Sequence, residues 1–114
     1  MITELFGAID KKDADKFSTF LARDCIFRFG NMPVVVGQPA IHGFVAGFFD
    51  SIASLTHDVQ DTWHVPDGVI CHGQVTYTRK DGSVLTVPFA NVLKMGSKQI
   101  TEYLIFADTS KLYS

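Results

Sequence analysis

Three polar side chains in the second half of the chain, His72, Asn91 and Glu102, are of types that move protons or stabilise an oxyanion. An imidazole titrates near neutral pH, and an imidazole beside a carboxylate is a common acid–base unit. An asparagine amide can donate a hydrogen bond to a negative charge that develops on oxygen. For the three to act together, the fold must bring them to one face.

The sequence predicts four consecutive antiparallel strands that carry these residues, over residues 55–65, 69–80, 83–95 and 99–107. Asp81-Gly82 is a strong hairpin signal, because a type I′ turn needs positive φ at both central residues. A two-residue turn at that point pairs Thr76 with Val87 on one face.

The predicted face extends across all four strands, because this register and glycine-containing turns at the other two strand connections align the neighbouring residues. It places His72 opposite Asn91, Trp63 beside His72, and Glu102 beside Asn91. The other residues predicted to line this face are Gln74, Thr76, Val87, Phe89, Leu93, Leu104 and Phe106.

Each candidate also has an ordinary structural interpretation. His72 can be a hydrogen-bonded histidine at a sheet edge or a dimer face, and Trp63 can fill a core. Glu102 can face solvent in a cross-strand pair with Lys94 or Lys98. Asn91 can satisfy a neighbouring backbone group.

The first half of the chain predicts three helices and two short strands. Residues 2–9 have helical spacing, Asp13 is a candidate N-cap, and residues 25–29 and 34–36 are candidate strands. Pro39 opens the third helix, whose apolar stripe is Ile41, Phe44, Val45, Phe48, Phe49 and Ile52.

Two features of this arrangement matter for the fold. Gly43 and Gly47 share one side of the third helix, so we expect a close neighbour there. Helices first and a long antiparallel sheet last predict a single α+β domain over residues 1–114. The sheet must curl around the third helix, and such a cone encloses a pocket.

Composition narrows the classes of partner. A net charge of −2 argues against nucleic acid and anionic membranes. The first residues lack the basic and apolar regions of a signal peptide, and the only cysteines, Cys25 and Cys71, predict reduced thiols in a cytoplasmic protein. No spacing of ligands predicts a metal site, and no phosphate loop or other motif predicts a cofactor.

The order of elements and four stretches of sequence together resemble a known family. The stretches are residues 20–27 (FLARDCIF), 36–41 (VGQPAI), 88–95 (PFANVLKM) and 100–108 (ITEYLIFAD). The chain resembles the nuclear transport factor 2-like (NTF2-like) superfamily, in its SnoaL-like and ketosteroid-isomerase-like branch. The resemblance implies a cystatin-like α+β barrel, but this fold hosts enzymes of several kinds as well as binding modules.

The catalytic residues of that branch are only partly present. The general base of ketosteroid isomerases aligns with Phe29, their tyrosine oxyanion donor with about Leu5, and their protonated aspartate with Asn91. The arginine and aspartate of limonene-epoxide-hydrolase-like members align with Gln74 and Thr76. The resemblance therefore implies a pocket at Gln74, Thr76 and Asn91 without an intact catalytic set.

The resemblance and the predicted turn at Gly96-Ser97 imply different inward faces for the last strand. The hydrolase-like register turns Tyr103 and Ile105 inward, whereas the predicted turn places Glu102 and Leu104 inward, and we prefer the second register. The residues expected to bind a ligand are Phe29, Trp63, Gln74, Thr76, Phe89 and Tyr103.

Three functions follow as hypotheses. The first is an enzyme that isomerises, cyclises, hydrates, dehydrates or hydrolyses a small, mostly apolar carbonyl compound. The second is a non-catalytic binder of a small hydrophobic molecule. The third is an interaction module, and we expect a homodimer through an outer sheet face made of Val75, Tyr77, Val84, Pro88, Ala90, Val92 and Ile105.

Overall fold

The computed structural model of the chain describes residues 1–113. The helices are α1 (Ile2–Asp10), α2 (Ala14–Ser18) and α3 (Gln38–Asp50). The strands are β1 (Leu21–Phe29), β2 (Val35–Val36), β3 (Ser54–Val65), β4 (Gly68–Thr78), β5 (Val84–Met95) and β6 (Ile100–Ala107). This arrangement confirms the predicted α+β class.

Local signals place the helices where the sequence predicts them. The Asp13 carboxylate caps α2 by accepting a hydrogen bond from the Lys16 backbone N–H at 3.0 Å. Pro39 lies in the first turn of α3, where its missing N–H removes no helical hydrogen bond. The helix α3 buries a stripe with a spacing of four residues, namely Ile41, Val45 and Phe49.

The two glycines of α3 have no close neighbour. A Cβ atom built at Gly43 or at Gly47 meets nothing within 4 Å, so the prediction of a tight contact there is wrong. Each glycine costs the helix about 1 kcal/mol relative to alanine, and packing does not explain that cost. The space beside Gly47 belongs to a cavity described below.

The six strands form one curved, unclosed sheet in the order β2-β1-β6-β5-β4-β3. The pairing of β1 with β6 is parallel, and every other neighbouring pair is antiparallel. The core lies between the helices and one side of the sheet. We call that side the inner face; on β4 it carries Val69, Cys71, Val75 and Tyr77. The opposite side is the outer face.

The hairpin between β4 and β5 has one more loop residue than predicted. The backbone N–H of Arg79 donates to the carbonyl of Ser83, so the loop comprises residues 80–82, and Gly82 has a φ of +89°. A three-residue loop with glycine in the left-handed region is the next most common hairpin after the two-residue turns. Thr76 therefore pairs with Thr86, and the predicted pairing of Thr76 with Val87 is wrong.

The extra loop residue changes which side chains of β4 face the core. Moving the register by one residue sends every alternate side chain of the strand to the other face. Val75 and Tyr77, predicted for the outer face, are buried on the inner face. His72 pairs with Ala90 instead of Asn91.

The strand β6 settles the alternative that the sequence left open. Tyr103 pairs with Leu93 and Ile105 with Asn91, and both Tyr103 and Ile105 line the cavity inside the sheet. The preference for Glu102 and Leu104 on the pocket face is therefore wrong, as is the placement of Ile105 on the outer face.

A bulge interrupts β3 next to β4. Val59 pairs with Gly73 and Asp61 with His72, which leaves Gln60 as the extra residue. A Cβ atom at Gly73 would lie 1.9 Å from the Asp58 carbonyl oxygen, so the close approach of the strands requires glycine there. After the bulge, Trp63 pairs with Ile70 and is exposed.

The described residues contain no helix that is both long and apolar enough to cross a membrane.

Candidate functional site

A cavity of about 50 Å³ lies between the inner face of the sheet and the helices. We call it the inner cavity. Most of its walls are apolar rings and aliphatic chains, and its polar members are His57, Tyr77, Asn91 and Tyr103. Four of the residues predicted from the sequence line it, namely Phe29, Phe89, Asn91 and Tyr103.

His72 does not reach this cavity. Its Nε2 lies 3.0 Å from Oδ2 of Asp61, and its ring stacks on Trp63 with centroids 5.5 Å apart and planes inclined by 14°. The His72 side chain is 41% exposed, and Trp63 is 51% exposed. The placement of His72 and Trp63 in a pocket is wrong, because the longer hairpin loop turns His72 outward and the β3 bulge does the same for Trp63.

Glu102 and two further residues also lie on the outer face. The Glu102 carboxylate is 3.4 Å from Nζ of Lys94, its cross-strand partner, which is the ordinary interpretation given above. The Thr76 hydroxyl is 2.9 Å from that of Thr86, and Gln74 pairs with Pro88 at the same side of the sheet. The predicted meeting of His72, Asn91 and Glu102 inside a pocket is therefore wrong.

The acid–base group that does line the inner cavity is His57, which pairs with Asp10 behind it. Nδ1 of His57 is 2.7 Å from Oδ1 of Asp10, and the backbone N–H of His57 donates to Oδ2 at 3.0 Å. The His57 side chain is 10% exposed and packs against Phe6 and Phe89, whose ring centroids are 4.8 and 5.1 Å away. A neutral imidazole that donates from Nδ1 to a carboxylate keeps the lone pair of Nε2 for a proton.

Two elements position this pair. Asp10 is the last residue of α1, and His57 belongs to the first half of β3, before the bulge. The carboxylate bonds both the backbone and the ring of His57, so the end of α1 determines the orientation of the imidazole.

Asn91 is the second polar feature of the inner cavity. It is 2% exposed, and its Oδ1 has no hydrogen-bond partner among residues 1–113. A buried acceptor without a partner costs about 1–3 kcal/mol, so native proteins rarely contain one without a reason. A donor group on a bound molecule or a water molecule would satisfy it.

The two tyrosines of the cavity stay neutral. Burial raises the pKa of Tyr77 and of Tyr103 above the usual value, so neither phenol ionises near neutral pH. Tyr103 packs between Phe17 and Phe27, with ring centroids 5.6 and 5.5 Å away. These tyrosines therefore contribute shape and hydrogen-bonding hydroxyls, not charge.

A second cavity, of about 300 Å³, adjoins the first. We call it the outer cavity. Its lining comprises Phe29, Met32, Phe44, Gly47, Phe48, Ser51, Thr109, Leu112 and Tyr113. Phe29, Phe44 and Phe48 line both cavities, so these three rings form the partition between them.

The pairing of His57 with Asp10 was missed in the sequence because the two residues are 47 positions apart. A local signal for His57 existed, since it alternates with the apolar Leu55 and Val59 at the start of β3. That pattern predicts an inward-facing histidine but does not name its partner.

The described residues contain no group of three or more His, Cys, Asp or Glu side chains that could hold a metal ion. Cys25 and Cys71 are free and buried, and burial raises the pKa of Cys25 to about 11. Both are therefore protonated thiols near neutral pH, without the character of a nucleophile.

Residues 2–103 match the family model of the SnoaL-like domain. The chain belongs to this family. The match confirms the resemblance given from the sequence, and the SnoaL-like fold also agrees with solved structures. No curated protein matches the chain.

Three solved structures are similar in fold to this chain. A protein of Jannaschia sp. CCS1, described as a candidate SnoaL-like polyketide cyclase, is 17% identical with a TM-score of 0.83, over 97% of this chain and 85% of that chain. A protein of Catenulispora acidiphila with a ketosteroid-isomerase-like fold, in complex with trimethylamine, is 18% identical with a TM-score of 0.84, over 92% and 82% of the two chains. TerC, co-crystallised with polyporic acid, is 16% identical with a TM-score of 0.83, over 98% and 92%. At these identities the likeness concerns the fold alone.

Proposed function

We propose that the chain is a proton-transfer enzyme that acts on a small, mostly apolar carbonyl compound, with His57 as its acid–base group. The observation that carries the proposal is that His57, held by Asp10, lines the same cavity as Asn91, whose buried Oδ1 is unpaired. Two solved structures of similar fold are described with small organic molecules, which supports a ligand in this fold.

In the proposed reaction, His57 moves one proton. Nε2 takes a proton from the carbon next to the carbonyl group, and the electron pair of that C–H bond passes into an enolate. The Asp10 carboxylate, 2.7 Å from Nδ1, stabilises the imidazolium that forms. The imidazolium, whose N–H can exchange its proton with solvent, then gives a proton to another atom of the ligand, so no other reactant is needed.

Asn91 stabilises the enolate in this proposal. Its amide N–H donates to the carbonyl oxygen as negative charge develops there, in a cavity whose walls are mostly apolar. The unpaired Oδ1 then needs a donor of its own, and a hydroxyl group close to the carbonyl would supply it. A neutral hydroxy ketone therefore fits this pair of atoms better than a simple ketone.

The experiment is proton exchange into deuterated water, followed by nuclear magnetic resonance on a panel of neutral hydroxy ketones. The wild type should speed exchange next to the carbonyl, and His57→Gln should lower the rate by ~10²-fold or more. His42→Gln is the matched control, because His42 lies 2.6 Å from Asp15 in a similar pair on the surface. It should change the rate by less than about twofold. No exchange by the wild type, or an equal loss in the two variants, would overturn the proposal.

A non-catalytic binder is the second candidate function. It is favoured by Phe29, which stands at the position of the general base in ketosteroid isomerases and packs on Phe48 with ring centroids 5.0 Å apart. Binding of the same hydroxy ketones without any proton exchange would support this function over the enzyme.

We also propose that the chain forms a homodimer in the cytoplasm through the outer face. The exposed apolar side chains there include Trp63, Ile70, Val84 and Phe106. Monomers rarely leave a large apolar patch in water, and a second copy with two-fold symmetry is the commonest cover. The two free cysteines are in keeping with a reducing compartment.

A further inference from the structure

We propose that the outer cavity is a second binding site, which holds the neutral, apolar body of a small molecule whose polar end enters the inner cavity past Phe48. The placement of the polar end in the inner cavity rests on the function proposed above. The assignment of the outer cavity as a binding site does not, because its occupancy can be measured without any reaction.

The sizes of the two cavities lead to this division. The inner cavity of about 50 Å³ holds little more than one water molecule, whose share of liquid volume is about 30 Å³. It can accept the hydroxy ketone end of a molecule but not a larger apolar body. The outer cavity of about 300 Å³ reaches the lower end of the volumes typical of ligand pockets.

The chemistry of the outer lining selects the ligand. No lining residue carries a charge, and four of the nine are Phe29, Phe44, Phe48 and Tyr113. The hydroxyls of Ser51 and Tyr113 lie 2.6 Å apart and hydrogen-bond each other, so neither requires a hydrogen bond from a ligand. These walls favour an uncharged aromatic or branched aliphatic group.

The wall that residues 109–113 contribute is held in place by several contacts. The Arg79 guanidinium donates to the carbonyls of Leu112 and Lys111, both at 2.9 Å. The Leu112 side chain is buried, and the bond between Tyr113 and Ser51 ties the same segment to the end of α3. Charged hydrogen bonds of this kind are stronger than neutral ones, so the wall is a formed part of the fold.

Phe48 is one of the three rings that separate the two cavities. Its ring lies 5.0 Å from Phe29 and 6.0 Å from Tyr77 between ring centroids, both edge-on. It is only half-buried, and it is the one partition ring that also touches Tyr77 of the inner cavity. A rotation of this single side chain would join the cavities.

Gly47 provides a sharp test of the outer site. A Cβ atom there meets no atom within 4 Å and points into open space, and the residue lines the outer cavity. Gly43 lies one turn earlier on α3 with the same open surroundings but lines neither cavity. Leucine in place of glycine raises helix propensity by a similar amount at the two positions. The two variants therefore differ mainly in whether the new side chain fills the outer cavity.

The experiment measures binding of N-phenyl-1-naphthylamine, a neutral apolar dye that fluoresces in apolar surroundings. The wild type and Gly43→Leu should bind it with equal affinity, whereas Gly47→Leu should bind it about tenfold more weakly. His57→Gln should keep the wild-type affinity, which separates this site from the proposed chemistry. Absence of dye binding by the wild type, or equal affinity of the Gly47→Leu and Gly43→Leu proteins, would overturn the proposal.

Discussion

Nδ1 of His57 lies 2.7 Å from Oδ1 of Asp10, although α1 and β3 are separated by most of the N-terminal half of the chain. The other oxygen of the carboxylate accepts from the backbone N–H of His57 at 3.0 Å. The end of one helix thus holds both the strand and the ring. A histidine held in this way keeps one tautomer and one direction, which a proton-transfer group requires.

Asp10→Asn should slow proton exchange by ~10²-fold while the protein stays folded. An amide has one oxygen, so it can accept from Nδ1 or from the backbone N–H of His57 but not from both, and it has no charge with which to stabilise the imidazolium. The rate is measured in deuterated water, with Asp15→Asn as the control at the surface pair of Asp15 and His42. An unchanged rate in Asp10→Asn would remove Asp10 from the mechanism.

Asn91→Leu should lower the exchange rate without lowering stability. The variant removes an oxygen that is buried without a partner, so the free energy of unfolding should stay the same or rise by about 1–3 kcal/mol. The exchange rate should fall by ~10²–10³-fold if the amide stabilises the enolate. Urea unfolding and the exchange assay measure the two effects. A large loss of stability instead would show that Asn91 has a structural partner.

Phe48→Ala should join the two cavities and admit bulkier dyes. The half-buried ring supports packing on both sides, so the free energy of unfolding should fall by about 2 kcal/mol. Phe106→Ala removes the same atoms from the exposed outer face and is the matched control. Dye affinity should change in Phe48→Ala alone; the same change in Phe106→Ala would place the dye on the outer face.

The double variant Trp63→Glu and Phe106→Glu should be a monomer, if the outer face forms the dimer. The wild type should sediment at twice 12.6 kDa at micromolar concentration, since interfaces above ~1,000 Å² are usually stable. Trp63 is the only tryptophan, so its emission should also shift with protein concentration. Gly43→Glu adds charge on α3 and should leave the dimer intact. A wild type that remains at 12.6 kDa would contradict the dimer.

Local chemistry in the sequence determined several parts of this protein. The carboxylate of Asp13 begins α2, Pro39 begins α3, and Asp81-Gly82 marks the hairpin between β4 and β5. The alternation within β5 was also enough to turn Phe89 and Asn91 toward the core. Each of these features depends on residues within a few positions of one another, so pattern and propensity decide it.

Only the tertiary structure decided which side chains share the site. The length of the loop between Thr78 and Val84 determines which side chains of β4 face the core, and it turns His72 outward. The bulge at Gln60 does the same for the second half of β3 and turns Trp63 outward. His57 met Asp10 only because α1 packs against β3. A strand has a period of two residues, so a single extra residue reverses its faces, and the burial of the whole sheet, not any local preference, selects between the two.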